Sequence, residues 1–315
     1  MKKKQEHQSE KKLSVIYIAI FLVVLGATNV GTYFFMSRVE NGVAVLSFSM
    51  LNPARAFIKQ KDLIVNFQPL RDYLNEKYEM DPNVSIYFEY LPTGSNIAIS
   101  KDTEFYPASL LKLPVAIAVA KKIENGEWKW ANELVLMPAD KDDGFGDLYK
   151  EPSNSAHSIE ELVRRSLSDS DNTAHFILTR NLEIEEIEDV YNHMGLDGFL
   201  TGKGNLSAKR YSVILRSVYN ASYLSEGSSQ KLLSYLSKSS FKDYIQSGLP
   251  EDITFAHKIG ISDEENVFLD SGIVYAKDRP YILTVMTKNK DEQIAQKMMA
   301  DISRKVYNYI SEYEE

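Results

Sequence analysis

The 315-residue chain contains no cysteine. This absence excludes disulfides, cysteine-ligated zinc, iron–sulfur clusters, a thiol nucleophile and a lipidated cysteine. Histidine is also scarce: there are five, and no two of them have the spacing by which a helix presents a pair of metal ligands. We therefore predict no metal ion and no other cofactor.

An excess of positive charge is lacking as well. The chain has 36 lysine and arginine residues against 44 aspartate and glutamate residues, which gives a formal net charge of −8. Proteins that hold nucleic acid through its phosphates need the opposite balance, so we expect no nucleic-acid partner. With 44% hydrophobic and 25% charged residues, the composition is that of a globular protein.

The N-terminus is arranged differently from the rest of the chain. Residues 1–12 hold five lysines and two glutamates, whereas residues 13–36 hold no charged side chain. As a helix, this second stretch exceeds the ~20 residues that cross a bilayer, and its lysine-rich flank predicts a cytoplasmic N-terminus. We predict a cytoplasmic tail (1–12), an uncleaved transmembrane anchor (13–36) and a cell-membrane localisation with the remaining chain outside. A cleaved signal peptide and a buried globular helix are the alternatives.

The remaining chain is predicted to divide into a stalk, residues 37–63, and a folded domain, residues 64–315. The spacing of apolar residues predicts a helix at 67–78. Two β-rich runs follow at 84–91 and 96–99. They are separated by a Pro-Thr-Gly turn, which is typical of a hairpin.

The middle of the domain, from about residue 109 to 238, has helical patterns separated by polar loops. Strand patterns return at 254–261, 267–276 and 281–287. An amphipathic helix ends the chain with one predicted apolar stripe: Ile294, Met298, Ile302, Val306 and Ile310. We therefore predict an α/β (α+β) sandwich: a five-stranded antiparallel sheet flanked by the N- and C-terminal helices, with an inserted all-helical lobe.

The chemistry is predicted to centre on Ser109 and Lys112. From Leu110 to Ala120 every residue except Lys112 is apolar, and a helix that is apolar on all sides is a buried one. Burying an ammonium group is costly unless it is paired or loses its proton. Because residues three apart share a helix face, the pair suits a serine nucleophile activated by a lysine base. The alternative is a serine that caps the helix and a lysine whose amine reaches water.

Two more motifs follow in order along the chain. Ser-Asp-Asn occupies residues 170–172 in the helical region, and Lys-Ile-Gly occupies residues 258–260 in a predicted strand. Together with Ser-x-x-Lys at 109–112, they match the set that is typical of class A β-lactamases and penicillin-binding proteins. From about residue 67 to its C-terminus, the sequence therefore resembles this family of serine hydrolases.

The resemblance implies three catalytic residues. Ser109 would be the acylated nucleophile, Lys112 would help to take its proton, and Ser170 would relay a proton to the leaving nitrogen. It also implies a set of substrate-binding residues: Asn172, Lys258, Gly260 and Ile261. In this set, Asn172 would hold the amide side chain of the substrate and Lys258 would supply positive charge. The backbone N–H groups of Ser109 and Ile261 would form the oxyanion hole.

The sequence departs from the family's pattern in several places. Ile259 replaces the hydroxyl residue of Lys-Thr/Ser-Gly, and the next predicted strand offers no arginine for a substrate carboxylate. The segment 194–206 is short and has no glutamate to direct a deacylating water. Asp197 is the only acid in that segment, and Lys112 is the other candidate base. Pro114 lies inside the predicted nucleophile helix, where we expect it to remove a backbone hydrogen bond.

Three other features of the sequence are given structural rather than catalytic roles. The Asp-rich segment 140–147 lacks the downstream glutamate of a calcium loop, and we predict a solvated loop. The resemblance implies that a loop at this point of the chain borders the cleft, so that Phe145 or Tyr149 would contact the substrate. Asp171 is expected to shape its loop rather than react, and His257 to be a strand residue rather than a general base.

These observations predict a membrane-anchored, extracytoplasmic serine hydrolase that is a monomer. Ser109 would be acylated by β-lactams or by D-Ala-D-Ala-like peptidoglycan stem peptides, and the missing loop glutamate predicts slow deacylation. One alternative is a penicillin-binding enzyme that resembles D,D-carboxypeptidases. The other is a non-catalytic domain that binds β-lactams or peptidoglycan as a sensor.

Overall fold

The computed structural model describes residues 28, 49–51, 63–64, 66–202 and 204–313. The predicted tail (1–12), nearly all of the predicted anchor (13–36) and most of the predicted stalk (37–63) lie outside these residues. Among the residues that are described, no helix is both long and apolar enough to cross a membrane. One compact unit begins at Met50, whose N–H donates to the side chain of Gln230 over 2.8 Å.

The folded unit begins with the predicted helix and hairpin. Helix α1 (Gln68–Tyr78) precedes strands β1 (Val84–Tyr90) and β2 (Ser95–Ile99). The two strands pair antiparallel with Tyr90 opposite Ser95, directly beside the turn. The hairpin prediction is therefore confirmed.

The inserted lobe follows this hairpin. Its helices are α2 (Lys112–Glu124), α3 (Ile159–Ser168), α4 (Asn172–Arg180), α5 (Ile184–His193), α6 (Ala208–Tyr219) and α7 (Glu226–Leu236). The lobe also contains an antiparallel ribbon of β3 (Glu133–Val135) and β4 (Ala156–Ser158), so the prediction that it is all-helical was wrong. Strands of three residues are too short to show a period of two, which is why the sequence pattern did not reveal them.

The chain then returns to the sheet. Strands β5 (Phe255–Ser262), β6 (Val267–Val274) and β7 (Tyr281–Lys288) are followed by helix α8 (Glu292–Ser311). The five-stranded sheet has the order β2-β1-β7-β6-β5, and all its pairs are antiparallel. This confirms the predicted sheet. Strand β5 is one of the two edges of this sheet, so its outer edge has no strand partner in it.

Helices α1 and α8 bury their apolar faces in one core with the sheet, and α6 packs against β1, β6 and β7. The predicted stripe of α8 was wrong at its start, because Ile294 is 57% exposed. The buried stripe instead comprises Ala295, Met299, Ile302, Val306 and Ile310, with Ser303 between them. A step of four residues turns a helix about 40° beyond one full turn, so a stripe built only from such steps leaves the buried face.

The loss of a backbone hydrogen bond that was expected at Pro114 does not occur. Pro114 is the third residue of α2, and the first N–H groups of a helix have no acceptor within the helix. Its ring therefore removes no helical hydrogen bond. The carbonyl of Leu110, four residues earlier, accepts a hydrogen bond of 3.2 Å from the Tyr211 hydroxyl.

Candidate active site

Ser109 lies in a single 3₁₀ turn, Ala108–Leu111, that leads directly into α2. This turn packs against β5. A Cβ atom added to Gly260 would lie 2.8 Å from the Pro107 carbonyl oxygen, so the absence of a side chain allows this close approach. The structure thus gives Gly260 a packing role, while its predicted contact with substrate stays a prediction.

Lys112 is buried, with 2% of its surface exposed. Its amine donates to Ser109 Oγ over 2.8 Å, to the Ser170 carbonyl oxygen over 2.7 Å and to Asn172 Oδ1 over 2.5 Å. The alternative in which this amine reaches water is therefore wrong. The structure brings together the serine and lysine that the sequence predicted as nucleophile and base.

The protonation of Lys112 is set by opposing effects. Burial lowers the pKa of its ammonium group from 10.5 to about 7, although the carboxylates of Asp171 and Asp142 act to raise it. Near neutral pH, a large fraction of the amine is therefore free of its third proton. A free amine 2.8 Å from Ser109 Oγ can accept the proton of that hydroxyl.

Ser170 joins two lysines. It is buried, and its Oγ accepts hydrogen bonds from Lys258 Nζ over 2.8 Å and from Lys112 Nζ over 3.2 Å. Its φ of +55° lies in the left-handed region, which residues other than glycine rarely adopt. The hydroxyl is thus connected to both amines, as a proton relay between nucleophile and leaving group requires.

Lys258 is fully buried behind Ser170. Burial lowers its pKa well below 10.5, the charge of Lys112 lowers it further, and the Asp270 carboxylate opposes both effects. Asp270 is itself buried and lies 2.8 Å from the Nδ1 atom of His257. His257 is a strand residue, as predicted, but its pairing with Asp270 was missed because the two residues lie on different strands.

Asp171 has the structural role that the sequence predicted. Its Oδ1 accepts from the Ala174 N–H over 2.9 Å, which caps α4. Its Oδ2 accepts from the N–H groups of Asp147 and Leu148 over 3.0 and 2.9 Å. One carboxylate therefore fixes both the Ser-Asp-Asn turn and the Asp-rich loop that lies against it.

The prediction that 140–147 is merely a solvated loop was wrong: Asp140 is buried and its carboxylate accepts from Arg180, and Asp142 and Phe145 both bind Asn172. The Asn172 amide donates from Nδ2 to Asp142 Oδ1 over 2.6 Å, and the Asn172 N–H donates to the Phe145 carbonyl over 3.0 Å. Asp142 was missed because no motif marks it, although its position in an acidic loop was visible. Its contact with Asn172 depends on the fold.

A cavity of about 280 Å³ opens beside Ser109. Four of the predicted site residues line it: Ser109, Lys112, Asn172 and Ile261. Ser170, Lys258 and Gly260 lie behind this surface. Seven further residues line it, and four of these, which the prediction of site residues did not include, have aromatic side chains: Tyr106, Phe145, His175 and Phe176. Of the two loop aromatics that the resemblance placed at the cleft, Phe145 lines the cavity and Tyr149 does not.

The wall formed by these four residues is aromatic. Tyr106 and Phe176 are each 42% exposed, and Phe145 packs edge-on against Phe241 with ring centroids 5.9 Å apart. His175 is held neutral, because burial and then the charges of Lys112 and Lys258 lower its pKa to about 3. Among the described residues that line the cavity, none is an aspartate or a glutamate.

The short segment after α5 does not supply the missing acid. Asp197 is exposed and does not line the cavity. The segment is instead held at its end by a bridge in which Phe105 and Leu206 exchange N–H···O bonds of 2.9 and 3.0 Å. Ile259, the other departure, is buried in the core on the face of α8, where it offers no polar group to a substrate.

The sequence matches the model of one family, the beta-lactamase enzyme family, over residues 68–310. The chain belongs to this family. It is a β-lactamase-like serine hydrolase, and the matched region contains every predicted site residue from Ser109 to Ile261.

Two relatives illustrate the range of the family. The chain is 23% identical over 246 residues to the protein named beta-lactamase VEB-1 from Pseudomonas aeruginosa, with 68% of the chain and 80% of that protein covered. It is 30% identical over 122 residues to the protein named beta-lactamase regulatory protein BlaB from Streptomyces cacaoi. The second alignment covers 38% of the chain and 39% of that protein.

Solved structures share the fold. The structure of PBP-A matches with a TM-score of 0.70 at 22% identity, covering 78% of this chain and 97% of that one. A β-lactamase from Sphaerobacter thermophilus also matches with a TM-score of 0.70 at 22% identity, covering 80% of this chain and 100% of that one. At such identities the likeness establishes the fold.

Proposed function

We propose that the protein is an extracytoplasmic acyl-transfer enzyme, in which β-lactams or D-Ala-D-Ala-like stem peptides acylate Ser109 and the acyl group leaves slowly. One observation carries this proposal. The amine of Lys112 touches Ser109 Oγ within a cavity whose described lining contains no carboxylate. The site is therefore equipped for the first half of the reaction and poorly equipped for the second.

In acylation, the free amine of Lys112 takes the hydroxyl proton of Ser109 while Oγ attacks the substrate carbonyl. The oxygen of the tetrahedral intermediate faces the N–H groups of Ser109 and Ile261, and each such donor typically contributes about 10²–10³ in rate. The leaving nitrogen receives its proton through Ser170. That hydroxyl is bonded to both lysines, so the proton taken from Ser109 can reach it.

Substrate recognition combines polar and apolar contacts. Asn172 and the open edge of β5 hold the amide of the acyl chain, as edge strands hold extended peptides. The aromatic wall favours an apolar acyl group. Ile259 is buried in the core and offers no hydroxyl to a substrate carboxylate. The charge of Lys258 behind the cavity surface and the Ser262 hydroxyl in its lining remain, and we expect weak selection for that carboxylate.

Deacylation requires a water molecule that is both placed and activated. General-base help is typically worth about 10²–10⁴ in rate. His175, with a pKa of about 3, is too weak a base to supply it. The remaining candidate is Lys112, which has to serve both half-reactions, and we therefore infer a long-lived acyl-enzyme.

The test is a pulse and chase with fluorescent penicillin on the full-length protein. The label is added, excess is removed, and protein-bound fluorescence is followed against Ser109→Ala as the control. We expect stoichiometric labelling of the wild type that persists for many minutes, and no labelling of the variant. Fast loss of the label with rapid turnover of nitrocefin would contradict slow deacylation, and full labelling of Ser109→Ala would contradict the assigned nucleophile.

A second candidate is a β-lactam sensor. The Streptomyces cacaoi relative is named as a regulatory protein, and a lasting acyl-enzyme also suits signalling. Turnover of a D-Ala-D-Ala-like depsipeptide distinguishes the two functions. Repeated turnover supports the peptidase, whereas one equivalent of product per serine supports the sensor.

We also propose that residues 13–36 anchor the protein, with the domain outside the cell membrane. The support is the uncharged stretch and its lysine-rich flank. Protease added to intact spheroplasts should digest the domain and spare an N-terminal tag. Protection of the whole chain would contradict this orientation. Size-exclusion chromatography in detergent tests the accompanying proposal that the protein is a monomer.

A further inference from the structure

A single side chain, that of Asn172, connects the Asp142 carboxylate to Lys112, the proposed base. Asp142 Oδ1 accepts from Asn172 Nδ2 over 2.6 Å, and Asn172 Oδ1 in turn accepts from Lys112 Nζ over 2.5 Å. Asp142 is itself fixed, since its N–H donates to Thr173 Oγ1 over 3.0 Å and its Oδ1 also accepts from the Gly144 N–H over 2.9 Å. A continuous chain of hydrogen bonds thus runs from the loop to the amine.

This chain determines which way the Asn172 amide points. A carboxylate offers only lone pairs, so it can bond to the NH₂ end of the amide but not to its oxygen. An ammonium group offers only hydrogens and imposes the same orientation. Once Lys112 has lost its proton, however, its amine also has a lone pair and no longer discriminates between the two ends. In the reactive state, Asp142 is therefore the group that keeps the amide oxygen on Lys112.

Asp142 also contributes charge. Two carboxylates raise the pKa of Lys112: Asp171 at the start of α4 and Asp142 in the loop. The other charged group near Lys112 is Lys258 on β5, whose own pKa the charge of Lys112 lowers. His175 on α4 is neutral at working pH. Of the two carboxylates, Asp171 is committed to three backbone N–H groups, whereas Asp142 is directed at the amide that Lys112 touches.

We propose that Asp142 is a positioning residue for acylation: it orients the Asn172 amide towards Lys112 and adds negative charge beside that amine. The proposal rests on the proposed acylation of Ser109. It assigns to the acidic loop a part in setting the pH range of the reaction. Asp142 acts through Asn172 and does not itself touch the substrate.

The test compares Asp142→Asn with Asp143→Asn in the full-length protein. Both variants lose one negative charge from the same loop, but Asp143 is exposed and no hydrogen bond joins its side chain to Asn172. The rate of labelling of Ser109 is measured from pH 5.5 to 9 with fluorescent penicillin and, separately, with a fluorophosphonate probe. The second probe needs an activated serine but no recognition of a β-lactam. Thermal unfolding confirms that each variant is folded.

We expect Asp142→Asn to change both features of the pH profile. Loss of the carboxylate favours the free amine, so the acid limb of the profile should move about half a pH unit or more to lower pH. The plateau should fall about tenfold, because the amide is no longer held in one orientation. Asp143→Asn should leave the midpoint and the plateau unchanged. Asp142→Ala should lower the plateau further.

The other outcomes either overturn the role of Asp142 or separate it from the proposed β-lactam function. An Asp142→Asn profile identical to that of the wild type would show that the carboxylate has no influence on Lys112. Equal shifts in both variants would reveal a general effect of loop charge. If the wild type reacts with fluorophosphonate but not with penicillin, the β-lactam function fails, while the fluorophosphonate profiles still decide the role of Asp142. A serine that reacts with neither probe would overturn both proposals.

Discussion

The two walls of the active-site cavity differ in chemistry. On one side lie Ser109 and Lys112, with Ser170 and Lys258 buried behind them, and hydrogen bonds of 2.8 to 3.2 Å join these hydroxyls and amines. On the other side, aromatic rings and the neutral imidazole of His175 face the same space. The first wall can move protons. The second wall, among its described residues, has no group that takes one near neutral pH.

In the proposed mechanism, the two half-reactions have separate structural requirements. Acylation needs a base beside the serine, and burial alone converts Lys112 into one by lowering its pKa to about 7. Deacylation needs a base that faces a water molecule on the open side. A protein of this family can therefore keep the base that acylation needs while it lacks the base that deacylation needs.

The largest effect is expected from removing the nucleophile. Ser109→Ala should abolish covalent labelling by penicillin and by fluorophosphonates, because the other hydroxyl bonded to the Lys112 amine, that of Ser170, is buried behind the cavity surface. The domain should remain folded, since one small residue replaces another. Intact-mass spectrometry measures the label and circular dichroism checks the fold. A variant that still gains the mass of penicillin would move the nucleophile to another residue.

The next effect concerns the base. Lys112→Met should slow acylation by about 10²–10⁴, the usual contribution of general-base catalysis. In the wild type, the free amine is the active form, so the acylation rate should fall as the pH drops below about 7 and reach a plateau above it. Stopped-flow labelling from pH 5 to 9 measures this limb. A rate that does not change across this range would exclude Lys112 as the base.

A third substitution supplies the aromatic wall with the missing carboxylate. Phe176→Glu places an acid at the mouth of the cavity, and we expect deacylation to become about tenfold faster. This gain is smaller than that of a fully positioned base, because nothing else holds the water. Phe176→Gln is the matched control, with the same shape and no charge. Equal chase rates in the two variants would mean that the carboxylate does not act on the water.

The last prediction concerns stability rather than chemistry, and follows from removing the carboxylate that clamps the loop. Asp171→Ala removes the cap of α4 and leaves the N–H groups of Asp147 and Leu148 without this acceptor. The free energy of unfolding should fall by about 3 kcal/mol. Differential scanning calorimetry measures the change, with Asp143→Ala as the control. Stability equal to that of the control would remove Asp171 from its proposed structural role.

Most of the fold was predictable from local patterns. The hairpin of β1 and β2 and the three later strands have the alternation or β-rich composition that strands require, and their number and direction were correct. The ribbon of β3 and β4 in the lobe was not predicted, because strands of three residues are too short to show a period of two. The error at Ile294 arose because steps of four residues exceed one helical turn.

The site was predictable where residues lie close in sequence or belong to a motif. Ser109 and Lys112 share a helical turn, and the Ser-Asp-Asn and Lys-Ile-Gly runs mark the facing elements. Asp142, His175 and Asp270 were not found, because their partners lie far away in sequence and only the fold brings them together. The buried Lys112 amine combines both cases: its environment was inferred from apolar neighbours, while its contacts came from the fold.

The short segment between α5 and α6 has an evolutionary consequence. Its Asp197 and Gly198 are exposed, and its end is fixed by the bridge of Phe105 and Leu206, close in sequence to the turn that carries Ser109. Doubling the length of a surface loop costs only about 0.6 kcal/mol in closure entropy. An insertion here could therefore bring an acid and a second polar residue over Ser109 without disturbing the fold. If deacylation is slow, as proposed, lengthening this one loop is a route by which the same fold would gain faster turnover.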